Sequence, residues 1–258
     1  MQSPRTGGKM AMNNPISKDS PGKILLAAAG RTIGAVALGL VVLVAVTGMV
    51  VAFGITPASQ EAKPWLGPLI VHSTMLAASL LIMVVLGRGR LQDYGLRLPG
   101  EWSWLWRAGG ISLAVGVLGS ALFRLLPSEG LPDVPGLSLA QIVLLVWVYA
   151  SVGEEVLVRG LVQGFASPLG RHGIALFGIR LSLPVLTGAL FFALIHIPAL
   201  SPGVRPVTMT IFLLFTATAG GIAGWFRERT GSLLPAIVVH MIFNIAASLV
   251  DAVTRLMD

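Results

Sequence analysis

The 258-residue chain has no cysteine, and only 11% of its residues are charged. Without cysteine there is no disulfide framework, no thiolate nucleophile and no cysteine-ligated metal site. A soluble globular chain carries roughly 25% charged residues, so the scarcity of charge excludes an ordinary soluble enzyme and a disordered polymer. What the chain has instead is apolar: 55% hydrophobic residues and a mean hydropathy of +0.84. Those figures fit a polytopic helical membrane protein if the apolar residues come in runs of about 20.

They do. Apolar spans are read at 32–55, 66–86, 105–126, 137–165, 182–200, 207–225 and 233–250. Each is long enough for a hydrocarbon layer of about 30 Å at 1.5 Å per residue. Lipid offers the backbone no hydrogen bonds, so the spans must be helical. The expected fold is an all-α transmembrane bundle of about seven spans, with eight possible. Breakers separate the spans, among them Pro57, Pro64, Gly87, Pro127, Pro202, Pro206 and Gly231. No internal repeat is visible, so the inverted-repeat transporter pattern lacks support. Residues 1–23 read as a flexible cytoplasmic tail, 24–90 as two N-terminal transmembrane helices, and 91–258 as the core. The tail is not a cleavable signal, because its apolar core starts only near residue 24 and no cleavage site closes it.

The net charge is +7. In a membrane chain, excess Lys and Arg mark cytoplasmic loops rather than a nucleic-acid surface, so no nucleic-acid partner is expected. With the N-terminus inside, thirteen basic residues fall on inner segments, from Arg5 to Arg229. Four fall outside: Lys63, Arg124, Arg205 and Arg255. The outer loop 127–136 carries Glu129 and Asp133. Trp102, Trp104, Trp106 and Trp225 sit beside inner basic residues as interface anchors, while Trp147 lies mid-span as packing.

A few ionisable residues remain inside the spans, where each costs at least ~2.5–3.5 kcal/mol to insert. Glu155 and Arg159 are spaced i,i+4 in the favourable order and neutralise each other. Glu154 points about 100° away and is left over. An unpaired intramembrane carboxylate needs a partner or a function. His240 and Asn244 share one helix face, a spacing that alone reads as interhelical glue. Phe192 and His196 repeat it, and His72 lies near the outer end of the second span. Together, one spare Glu, two His and one Asn on three helices supply a base, a water-orienting group and oxyanion donors.

Glu154-Glu155-Val-Leu-Val-Arg159-Gly160 resembles the EExxxRG signature of the CAAX protease and bacteriocin-processing (CPBP, Abi) family of intramembrane endopeptidases. Phe192-Ala-Leu-Ile-His196 resembles its FxxxH motif. His240-Met-Ile-Phe-Asn244 resembles its HxxxN motif, and Asp93-Tyr-Gly95-Leu96 a weaker segment before the core. The likeness covers about 90–258, and Val158 stands where many members have Phe. The resemblance implies Glu154 as general base, His196 as water holder, His240 and Asn244 as oxyanion donors, and Glu155, Arg159 and Phe192 as supports. Members are also described as metalloproteases, which would make Glu154, His196 and His240 a zinc site with an open position. A metal-free glutamate mechanism, with no cofactor, is the preferred reading. The implied substrate is a membrane-anchored protein or peptide, in a C-terminal tail, a leader or a sorting signal. The expected location is a prokaryotic cell (inner) membrane with the N-terminus in the cytoplasm. A proton-coupled transporter and a catalytically silent binding or immunity protein are the competing functions.

Straight helices would leave Glu154 and His196 ~15 Å apart in depth. A re-entrant stretch at 166–184 that lets the fifth helix start deep would close that gap. The expectation is that Glu154, His196 and His240 converge.

Overall fold

The computed structural model describes residues 21–123, 136–176, 178–197 and 204–257. The expected tail up to residue 20, and the outer-loop residues Arg124, Glu129 and Asp133, lie outside the described residues.

Helix α1 runs Pro21–Ala52, eleven residues ahead of the expected span. Proline fits the first helical position because its missing N–H has no partner there in any case. A short α2, Pro57–Ala62, is closed by a reciprocal cap between Thr56 and Ser59. Helix α3 is Leu66–Leu86. A 3-10 turn, Leu91–Tyr94, leads through Gly95 to α4, Ser103–Phe123. Helix α5 extends over Leu139–Leu169, and Ser138 and Gln141 cap its start reciprocally. This helix is π-helical over Ile142–Ala150 and over Val156–Val162, on either side of the α-helical turn Ser151–Glu155. π segments are rare and concentrate at functional sites.

An antiparallel hairpin follows, β1 (Gly173–Leu176) and β2 (Ile179–Ser182). Gly178, at φ 76°, serves its turn, a conformation that L side chains rarely adopt. Helix α6 is Leu183–Ile195, begun by Ser182, whose hydroxyl accepts from the Val185 N–H. Helix α7 is Pro206–Thr230 and stops at Gly231 in the left-handed region. The last helix, α8, is Leu234–Met257.

The protein is an integral membrane protein with an all-α polytopic bundle. Among the described residues six helices are long and apolar enough to cross a bilayer: α1, α3, α4, α5, α7 and α8. The expected seventh span, at 182–200, is corrected. Its helix, α6, has 13 residues, roughly 20 Å, which is short of the hydrocarbon thickness. The run read as a full span begins at Ser182, the hairpin's last residue, and continues beyond Ile195.

Helix α5 forms the axis. Val156 to Val162 are all buried, and α1, α3, α6 and α7 pack around them. A second apolar cluster joins α4, α7 and α8 through Ala108, Phe226, Ala236, Val239 and Phe243. Outward-facing Leu26, Val44, Leu81, Leu118 and Leu214 are exposed, as a lipid-facing surface requires. Basic residues gather at one end. Arg31 donates to the Phe165 carbonyl, Arg97 to that of Gly231, and Arg227 to that of Asp93. Arg107 and Arg229 lie over the Trp104 and Trp225 rings. The Asp93–Leu96 segment thus ties the α3–α4 linker to the α7–α8 turn, and Gly95 O accepts from the Leu233 N–H as well.

Candidate functional site

The centre of the site is the α-helical turn of α5 that lies between its two π segments. The two adjacent glutamates there have different surroundings. Glu155 is fully buried, and its Oε1 accepts from Arg159 at 2.7 Å. The same oxygen lies 2.9 Å from His240 Nδ1 on α8. Arg159 spends a second donor on the Gly220 carbonyl of α7 at 2.9 Å. Its guanidinium carbon lies 4.4 Å over the Phe192 ring of α6. One buried ion pair therefore joins four helices, and Glu155 is committed to it.

Glu154 faces elsewhere. Its Oε2 lies 3.7 Å from His196 Nε2 and 3.9 Å from His240 Nε2. Its Oε1 lies 3.9 Å from His72 Nδ1 on α3. These separations exceed a direct hydrogen bond, so a hydrogen-bonded link among these groups as placed runs through a shared water. Glu154 Oε2 and His72 Nδ1 are buried with no direct hydrogen-bond partner among the described residues. Their neighbours make the arrangement directional. His196 Nδ1 lies 2.7 Å from the Phe192 carbonyl, which can only accept, so Nδ1 carries the proton. The same holds for His240 Nδ1 against the Glu155 carboxylate. Each histidine thereby turns Nε2 toward Glu154. Phe192 packs edge-on against both imidazoles, at 4.7 Å from His196 and 5.2 Å from His240.

The expected convergence of Glu154, His196 and His240 is therefore present in the geometry. The expected depth gap between Glu154 and His196 is not. Glu154 and His196 each lie roughly 20 Å along their helices from the Leu169 and Leu183 ends, and the hairpin brings those ends together. Asn244, expected as an oxyanion donor, has its amide turned onto α5. Its Nδ2 donates to the Val146 carbonyl at 3.1 Å and to Ser151 Oγ at 3.2 Å, both on α5. His72 is the residue that sequence reasoning noticed but left out. Its only signal was an ionisable side chain in a span with no motif around it.

A tetrahedral zinc with bonds near 2.0–2.1 Å would hold its ligand atoms ~3.3 Å apart. The Nε2–Oε2 separations of 3.7 and 3.9 Å are wider. Among the described residues no group of three or more His, Asp or Glu side chains is arranged to hold a metal ion. The ligand set suggested by the family resemblance does not fit a metal as placed.

Residues 136–246 match the family model described as type II CAAX prenyl endopeptidase Rce1-like. This stretch is an Rce1-like domain of the CPBP (Abi) family. It contains Glu154, Glu155, Arg159, Phe192, His196, His240 and Asn244, while the Asp93–Leu96 segment and His72 lie before it. No curated protein and no solved structure gives a match. The Rce1-like domain is that of an intramembrane protease family.

Proposed function

We propose that the protein hydrolyses a peptide bond in a membrane-associated protein or peptide with a water molecule activated by Glu154, without a metal. The observation that carries this reading is the division of labour between the two glutamates. Glu155 is spent on Arg159 and His240, whereas Glu154 is ringed by imidazole nitrogens just beyond direct hydrogen-bond reach. A water between Glu154 Oε2 and His196 Nε2 donates one proton to each, which leaves a lone pair for the substrate carbonyl carbon.

As that C–O bond forms, the first proton moves to Glu154. His240 is held through Nδ1 by Glu155, and its part in this step is to donate an Nε2–H to the oxyanion, which requires a proton on that nitrogen. Asn244 joins it by exchanging one of its bonds to α5, a tightening that substrate-free geometry does not preclude. Glu154 then returns its proton to the nitrogen, the C–N bond breaks, and the carbonyl re-forms. The water's second proton stays on the new carboxyl group until that group ionises.

The family description makes a prenylated C-terminal tail the first substrate class to try, with leader peptides and sorting signals next. The gathered arginines support placing that end of the bundle, with the start of α1, on the cytoplasmic side; a prokaryotic cell membrane is part of the same proposal. The test compares membrane-protein termini in cells carrying wild type or Glu154→Gln. Termini that appear only with wild type are the expected result. Unchanged termini in the variant would remove Glu154 as the base, and loss of solute uptake instead would favour a proton-coupled transporter.

A further inference from the structure

The third imidazole at the Glu154 carboxylate comes from outside the Rce1-like domain. His72 lies six residues into α3, and its Nδ1 approaches Oε1 of Glu154, the oxygen that His196 and His240 leave alone. The approach is built into the packing. Gly153 precedes Glu154, and a Cβ there would lie 3.2 Å from the His72 carbonyl oxygen and 3.3 Å from its Cβ. Only a glycine gives α3 this proximity without displacement. The His72 ring stands edge-on to Tyr149 at 6.5 Å. Next to it, the Ser73 and Tyr149 hydroxyls hydrogen-bond at 2.8 Å between α3 and α5, one contact in a seam otherwise packed by apolar side chains. His72 is thus held between Gly153 and Tyr149, and its buried Nδ1, which has no direct hydrogen-bond partner among the described residues, faces Glu154.

A carboxylate at the end of a glutamate side chain rotates freely unless both oxygens are engaged. Two imidazoles on Oε2 alone leave that rotation open. We propose that His72 is a positioning residue: through a water-bridged contact to Oε1 it holds the Glu154 carboxylate so that Oε2 meets the water shared with His196. The N-terminal helix pair is then part of the catalytic apparatus rather than a membrane anchor alone. This rests on Glu154 being the base, and the experiment separates the two ideas.

Full-length protein in lipid nanodiscs is assayed with the peptide that spans a cleavage site found in the termini comparison. Four variants are compared with wild type: His72→Phe, His72→Gln, Tyr149→Phe and Glu154→Gln. His72→Phe keeps the ring against Tyr149 and removes the nitrogens. Misplacement of a reacting group by about 1 Å costs on the order of 100-fold. The expected result is a 10- to 100-fold loss of kcat at unchanged KM in His72→Phe, partial recovery in His72→Gln, and little loss in Tyr149→Phe. The infrared carboxylate band that Glu154→Gln removes should also shift in His72→Phe.

Wild-type kcat with an unshifted band in His72→Phe overturns the proposal. So does an equal loss in Tyr149→Phe, which would make His72 mere packing. If Glu154→Gln still cleaves, the general-base reading fails, and the infrared shift alone still decides whether His72 holds that carboxylate.

Discussion

His240 Nδ1 lies 2.9 Å from Glu155 Oε1, so the carboxylate that pairs with Arg159 also orients the imidazole facing Glu154. The two halves of the Glu-Glu dipeptide are coupled through a residue 85 positions away. Glu155 works at one remove, and its loss should be felt as stability before chemistry.

Glu155→Gln removes the charge that compensates Arg159, and both side chains are fully buried. Breaking a buried pair by removing one partner costs about 3–5 kcal/mol. Thermal unfolding in detergent should show a marked drop, and Glu155→Leu combined with Arg159→Leu should recover much of it. A single substitution with undiminished stability would contradict the pair's structural role.

Asn244→Ala should weaken the docking of α8 on α5. Two donated hydrogen bonds disappear, leaving Ser151 Oγ and the Val146 carbonyl short of a partner. A lost partner of a buried polar group costs about 1–3 kcal/mol. If Asn244 also contributes to the oxyanion, kcat falls further than the stability loss explains, and activity measured well below the melting temperature tests this.

Gly153→Val should separate α3 from α5. Even the first side-chain carbon meets His72 backbone and side chain at 3.2–3.3 Å, and overpacking of this kind costs about 1–3 kcal/mol. Spin labels on α3 and α5 should report a wider spacing. An unchanged spacing would mean that the approach at Gly153 is slack.

Chelation separates the mechanisms. Prolonged treatment with a zinc chelator should leave turnover of the identified peptide unchanged, with no recovery or gain on adding zinc. Reversible loss of activity would overturn the metal-free mechanism.

Much of this arrangement was legible in the sequence, for reasons that differ by residue. The pairing of Glu155 with Arg159 follows from i,i+4 spacing on one helix, which needs no tertiary information. The convergence of Glu154, His196 and His240 came from motif likeness and from the cost of leaving polar groups in lipid. His72 escaped because its partner lies on another helix, and hydrophobicity carries no register between helices. The length of α6 escaped because apolar residues run past both of its ends, so nothing in composition separates hairpin, helix and exit. Asn244 was placed on the correct helix face, but a face does not specify which neighbour takes the amide protons.

The shortness of α6 has a further consequence. A helix leaves its last four carbonyls without α-helical donors, and at the end of α6 His196 serves two of them, that of Phe192 through Nδ1 and that of Ala193 through its backbone N–H. A helix that halts before the far side of the bilayer exposes the remaining carbonyls where hydrocarbon cannot solvate them. Any of these carbonyls that protein groups do not serve calls for water at that depth. On the proposed mechanism the truncated helix then has two effects: it carries His196 to the carboxylate and, by ending there, favours the presence of the reagent.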